Sequence, residues 1–142
     1  MTNDSIHSAS AAEPVGAYPH ARRAGDLLFL SGVGPRRRDT KDIPGVSLDA
    51  DGTMLDYDIE AQIRSCFHNV KIILEEAGSS WDNIVDVLVF LTDMKRDFAT
   101  YNTLWAEYFP EGKKQPTRTT IQIAALPQGG NAPIAFEVKV VA

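Results

Sequence analysis

Two charged residues stand in stretches that are otherwise apolar or threonine-rich: Arg118 in Pro116-Thr117-Arg118-Thr119-Thr120 and Glu137 in Phe136-Glu137-Val138. A charge on a strand flank that must be covered costs free energy unless it is paired or meets a ligand. Arginine presents a planar fork that grips carboxylates through two hydrogen bonds. By strand alternation both residues point to the same kind of face as Thr120. Periodicity leaves two readings open, a structural salt bridge and a site for an anionic ligand.

Other chemistries lack their parts. His7, His20 and His68 lie too far apart for an H-x-x-x-H zinc pair, and His68 reads as an ordinary, partly exposed helix residue. Asp49-Ala50-Asp51-Gly52 has no helix before it and carries Asp58 where a calcium loop needs a bidentate Glu, so it reads as a hairpin turn. Ser31-Gly32-Val33-Gly34-Pro35 has neither the length nor the Lys of a P-loop, and no G-x-S-x-G elbow is present. Cys66 is the single cysteine, which rules out an intrachain disulfide and a cysteine-based metal site and leaves a buried helix thiol as the plain reading. Neither metal nor organic cofactor is expected.

The elements that would position Arg118 and Glu137 follow from periodicity. Thr119, Ile121 and Ile123 alternate with Arg118, Thr120 and Gln122, and Ile134, Phe136, Val138 and Val140 alternate with Ala135, Glu137, Lys139 and Val141, predicting two strands. Before them, Ile84–Thr92 is β-branched and nearly apolar, as in a strand covered on both faces. Ile59, Ile63, Phe67, Val70, Leu74 and Ala77 mark a helix from Asp56 or Asp58 to Gly78, and Phe98, Tyr101, Trp105, Tyr108 and Phe109 a second one stopped by Pro110. Leu27–Leu30 has strand length, and Asp51-Gly52 joins a hairpin between Val46/Leu48 and Met54/Leu55. Residues 1–14 are small and polar and are expected to form a flexible arm that a neighbouring chain would order, with residues 15–142 as one domain. The element order predicts an α+β fold with two helices on one face of a sheet. The other face then needs a cover, for which another subunit is the natural candidate.

Composition narrows the function classes. The 142 residues suit a single domain, and 44% hydrophobic with 23% charged residues is the balance of an ordinary globular protein. Fourteen Lys and Arg against nineteen Asp and Glu give a net charge of −5, which argues against nucleic acid as the main ligand. No apolar run approaches the ~18–20 residues a membrane helix needs. The first ten residues lack a basic and an apolar signal region, so no membrane partner and a cytoplasmic location are expected, and the sequon Asn3-Asp4-Ser5 carries no weight.

Longer motifs match a known family. They are Gly16-Ala17-Tyr18, Leu28-Phe29-Leu30-Ser31-Gly32, Ile73-Leu74-Glu75-Glu76-Ala77-Gly78, Val89-Phe90-Leu91-Thr92-Asp93-Met94, Tyr108-Phe109-Pro110, Pro116-Thr117-Arg118-Thr119-Thr120, Ala125-Leu126-Pro127 and Phe136-Glu137-Val138. On these residues the chain resembles the reactive-intermediate/imine deaminase (Rid) family, also called YjgF-like or L-PSP proteins. The resemblance implies a chorismate-mutase-like α+β fold with a mixed sheet and a homotrimer with ligand clefts between subunits, a hexamer of two trimers being left open. It places the family's substrate-gripping arginine on Arg118 and its water-positioning glutamate on Glu137. The substrate-binding positions fall on Tyr18, Ser31, Gly32, Asn102 and Thr120.

Three departures matter. Thr120 stands where the family commonly has a cysteine, or a serine or threonine, Val33 replaces a usual glutamine, and the stretches 36–56 and 128–135 look long. Within the family the chain is most similar to the deaminases that convert 2-aminomuconate to 4-oxalocrotonate in bacterial breakdown of aromatic compounds. Such a substrate is an enamine with a carboxylate at each end, so it needs a second cation besides Arg118. Arg36, Arg37, Arg38, Arg22 and Arg23 are the candidates, although a surface arginine run also reads as a solvated face. The alternatives are a general 2-aminoacrylate/imine deaminase and a non-catalytic 2-oxo-acid-binding protein. A ribonuclease reading is disfavoured by the net charge and by the lack of a histidine acid/base pair.

Overall fold

Helix α1 (Ile59–Glu76) begins where the Asp58 carboxylate accepts hydrogen bonds from the backbone N–H groups of Glu60 and Ala61 at 3.0 and 3.3 Å. It ends at Ala77, followed by Gly78 at φ +81°, a left-handed conformation that glycine adopts without steric cost. Helix α2 (Met94–Tyr108) is capped by Asp93, whose side chain accepts from Arg96 N–H at 3.0 Å. These boundaries agree with the spacing of apolar residues. The computed structural model describes residues 4–127 and 134–142; Asn3 of the sequon and most of the long 128–135 connection lie outside the described residues.

The strands are β1 (Ser5–Ile6), β2 (Ala21–Ala24), β3 (Leu27–Leu30), β4 (Val46–Leu48), β5 (Met54–Tyr57), β6 (Asp86–Leu91), β7 (Thr117–Gln122) and β8 (Phe136–Val141). Six of them form one mixed sheet in the order β1-β2-β3-β8-β6-β7, with β6 and β7 parallel and the other pairs antiparallel. Helix α2 is the crossover that the parallel pair requires. Strands β4 and β5 form a separate hairpin, its turn closed by the Asp49 carboxylate accepting from Asp51 and Thr53 N–H, each at 2.9 Å.

Both helices pack on one face of the sheet. Phe67 of α1 and Tyr101 of α2 both meet the Phe136 ring of β8, at centroid distances of 5.8 and 6.0 Å. Trp81, Trp105, Tyr108 and Phe109 surround Phe67 at 4.8–6.5 Å. Val87, Val89 and Leu91 of β6 and Val138 and Val140 of β8 complete this core.

Strand β6 was expected to be covered on both faces, and in one chain it is not: Leu88 and Phe90 are only partly buried. Helices cover one face, while the other carries Phe29, Val141, Leu88, Phe90 and Ile121, with Phe29 and Ile121 exposed. The apolar run records a face that the described residues leave without cover.

The expected loose arm also needs correction over its described part. Ser5 and Ile6 pair with Arg22 and Ala21, and Ser8 and Ala11 are buried. His20 holds the turn that follows, its Nδ1 accepting from Ser8 N–H at 2.9 Å and its Nε2 hydrogen-bonded to Ala12 C=O at 2.8 Å. Small residues read as an arm in sequence pack closely against the fold here.

Candidate active site

Strand β3 does not run smoothly along β8. Phe29 lies opposite Val141 and Val33 opposite Val138, so four steps on one side match three on the other. The extra residue makes a bulge at Ser31-Gly32 that opens the sheet beside Glu137. Ser31 is fixed there, its N–H donating to His20 C=O at 3.0 Å and its hydroxyl to Pro19 C=O at 2.8 Å.

Glu137 occupies the space that a side chain on Gly32 would need. A Cβ at Gly32 would lie 2.8 Å from Glu137 Oε2 and 3.1 Å from its Cδ. We expect Gly32→Ala to displace the carboxylate and lower turnover roughly tenfold or more, on the scale of misplacing a catalytic group by about 1 Å. Steady-state kinetics with a folded variant check this, and wild-type kcat would contradict it.

The Glu137 carboxylate makes no ion pair or hydrogen bond among the described residues, and burial pushes its carboxyl above the usual glutamate range. It lines a cavity of about 200 Å³ together with Tyr18, Ser31, Gly32, His20 and Arg36. The segment from Ala11 to Val15 forms a further wall.

Arg118 is elsewhere. In β7 it pairs with Val87, and it lies on the helix side of the sheet at its open edge, whereas Glu137 pairs with Phe90 on the uncovered side. The two residues were expected on the same kind of face and are on opposite ones. An intrachain salt bridge between them is therefore ruled out. The misjudgement has a simple cause: alternation fixes faces within each strand, but the parity between β7 and β8 is set by their common neighbour β6.

The Arg118 guanidinium is prepared rather than neutralised. Its Nη1 donates to Asn102 Oδ1 at 2.9 Å, and its centre lies 5.1 Å from the ring centroids of both Tyr101 and Trp105. Thr120 shares a hydrogen bond of 2.8 Å with the Tyr101 hydroxyl, which fixes that ring. No carboxylate among the described residues pairs with Arg118, which remains exposed.

The expected site residues thus fall into two groups. Tyr18, Ser31, Gly32 and Glu137 line the bulge cavity, and Asn102, Arg118 and Thr120 gather at the β7 edge. Sequence reading missed His20, which figures there only as part of a zinc pair, and the Tyr101/Trp105 platform, which reads as the apolar stripe of a helix. Of the five candidate cations, Arg36 alone lines the bulge cavity. Arg38 is tied to Ser8 and Ala11 C=O at 2.9 Å and to Glu13 at 3.2 Å, and Arg23 donates to Ala77 C=O at 2.7 Å. Arg37 and Arg22 are exposed. Among the described residues no group of three or more His, Cys, Asp or Glu could hold a metal, and no helix is long and apolar enough to cross a membrane.

Comparison with known proteins bears on this arrangement. The family profile described as endoribonuclease L-PSP matches residues 8–142. A RutC family protein of Pyrococcus horikoshii is 34% identical over 137 residues, covering 96% of this chain and 94% of its own. The mitochondrial protein MMF1 of Saccharomyces cerevisiae is 35% identical, over 95% and 81% of the two chains. Among solved structures, a Rid family protein of unknown function from Yersinia pestis superposes with a TM-score of 0.81 at 29% identity, covering 99% and 98% of the chains. TdcF of Escherichia coli, crystallised with bound serine, gives 0.80 at 31% identity over 97% and 96%.

Proposed function

The chain belongs to the Rid family (YjgF-like, RutC, endoribonuclease L-PSP), and from that premise we propose that it is a hydrolytic deaminase of enamine and imine acids whose substrate is 2-aminomuconate. The observation that carries this reading is that both charged strand residues are left unpaired. Among the described residues Glu137 is a partly buried carboxylate with no cation, and Arg118 is an oriented guanidinium with no anion. Desolvation makes the unpaired Glu137 costly to the fold, and a carboxylate and a guanidinium left without partners are what a substrate would satisfy.

Opposite sheet faces keep Arg118 and Glu137 of one chain from acting on one molecule. The uncovered apolar face supports assembly into a homotrimer, in which the β7 edge of one copy meets the bulge cavity of the next. A cleft so formed would join Arg118, Asn102 and Thr120 of one subunit to Tyr18, Ser31, Gly32 and Glu137 of its neighbour.

In that cleft the reaction needs no cofactor. The enamine takes a proton at carbon and becomes a 2-imino acid, and water adds to C2. The C2–N bond then breaks to release ammonia, leaving the 2-oxo acid 4-oxalocrotonate. Arg118 holds the C1 carboxylate and thereby orients C2. Glu137 accepts a proton from the attacking water and returns it to the departing nitrogen. Tyr18 and Thr120 shape the cleft. Fixed orientation supplies much of the rate, since an imine carbon is already electrophilic. The serine bound to TdcF carries the same carboxylate and C2 nitrogen that this scheme positions.

The test is ammonia release with loss of ultraviolet absorbance from freshly generated 2-aminomuconate, with 2-aminoacrylate run alongside. A much higher kcat/KM for 2-aminomuconate is expected. Preference for 2-aminoacrylate would mark a general imine scavenger, and no ammonia from either would leave a binding protein.

A further inference from the structure

Arg36 follows the bulge by four residues, and its backbone is held with unusual firmness. Cys66 Sγ donates to Val33 C=O at 3.1 Å, and Ser65 Oγ donates to Pro35 C=O at 2.7 Å. Asn69 Nδ2 donates to both Gly34 and Arg36 C=O, at 3.0 and 2.9 Å. Residues 65, 66 and 69 lie on one face of α1, so four successive carbonyls of the strap 33–36 are fixed to a rigid helix. Pro35 restricts the strap further.

The side chain on this fixed backbone is left unsatisfied. Arg36 Nε and Nη2 are buried and have no hydrogen-bond partner among the described residues. These two nitrogens are adjacent donors on one edge of the guanidinium, the pair that takes both oxygens of a carboxylate. Unmet buried donors on a cation are costly, and Glu137, the carboxylate in the same cavity, does not pair with them. Arg37 and Arg38 do not line this cavity, and Arg38 already has acceptors.

We propose that Arg36 binds the second carboxylate of a dianionic substrate and is the residue that makes this cavity select dicarboxylates over monocarboxylates. The inference rests on the reading of the bulge cavity as the deaminase site. With Arg118 of a neighbouring copy at the C1 carboxylate and Glu137 at C2, Arg36 takes the far end of a six-carbon chain. A substrate with one carboxylate would leave its fork empty.

The experiment compares wild type, Arg36→Gln, Arg36→Lys and, as a control, Arg37→Gln. The ratio of kcat/KM for 2-aminomuconate to that for 2-aminoacrylate should fall roughly 30- to 100-fold in Arg36→Gln, the scale of one lost charge-assisted bidentate contact. Arg36→Lys should recover only part of the ratio, since it restores the charge and not the fork, and Arg37→Gln should leave it unchanged. Calorimetry with two non-reacting probes, muconate and sorbate, separates this claim from the reaction itself, because the probes differ by one carboxylate on the same six-carbon diene. Wild type should bind muconate more tightly, and Arg36→Gln should abolish the difference. If that contrast holds while neither amino acid is deaminated, the deaminase reading fails and the Arg36 assignment stands. If folded Arg36→Gln keeps the wild-type preference, or wild type shows none, the assignment is overturned whatever the enzyme turns over.

Discussion

Arg118→Ala is expected to lower kcat/KM for 2-aminomuconate by about 30-fold or more, mainly by raising KM. Truncating one partner of a hydrogen-bonded charge pair in a covered site costs about 2–5 kcal/mol, and each 1.36 kcal/mol is a factor of about ten. The guanidinium is already oriented by Asn102 and by the rings of Tyr101 and Trp105, so little of its binding energy goes to ordering it. Arg118→Lys should recover only a minor part, because an ammonium cannot offer the planar fork. The isolated fold should barely notice, since the side chain is exposed on an edge strand and its removal forfeits only the exposed hydrogen bond to Asn102 and cation–π contacts of about 0.5–1 kcal/mol each. Steady-state kinetics beside thermal unfolding separate these effects. An unchanged KM would remove Arg118 from the carboxylate role.

Glu137→Gln is expected to act on kcat instead, with a loss on the order of 10²–10⁴, the usual worth of a positioned general base. The replacement keeps the shape that fills the space beside Gly32 and removes only the ability to take a proton. Because burial raises the Glu137 carboxyl above its ordinary 4.5, the wild-type rate should fall on the acid side around a midpoint above that value. The acid limb should vanish in the variant. The same shift works against stability at neutral pH. The native chain holds this proton more tightly than the unfolded one, so stability declines as pH rises from the unfolded pKa through the folded one. Glu137→Gln removes that cost, so Tm at pH 7 should rise, with a smaller rise at pH 4. A variant with full kcat, or one that is less stable at pH 7, contradicts the assignment.

The local code was readable in this sequence, and the relations between distant segments were not. Helix α1 could be drawn from Asp56 or Asp58 to Gly78 because its cap, its stripe and its stop are all local, and the structure places the cap at Asp58. Strand β2 escaped notice because Ala21-Arg22-Arg23-Ala24 has no apolar run and exists through pairing with β1 and β3. The types of Arg118 and Glu137 pointed to a site, but their relative face depends on how β6 aligns β7 with β8, which no periodicity encodes. The bulge at Ser31-Gly32 is likewise a matter of register between β3 and β8. The arginine run offered five equivalent cations. The distinction among them comes from carbonyls held by Ser65, Cys66 and Asn69, contacts some thirty residues apart in the chain.

The central claim is that Arg118 of one copy and Glu137 of another work on the same substrate molecule. Mixing the two impaired variants, assayed with substrate well below the KM of Arg118→Ala, tests it directly. Arg118→Ala and Glu137→Gln chains would be unfolded together, refolded at equal ratio and assayed for ammonia release from 2-aminomuconate. In randomly mixed trimers about a quarter of the interfaces pair an intact Arg118 with an intact Glu137 from different chains. The account therefore predicts recovery of about a quarter of the wild-type rate per site. Activity no greater than the sum of the two variants refolded separately would contradict it, for then both residues would have to serve a site within one chain.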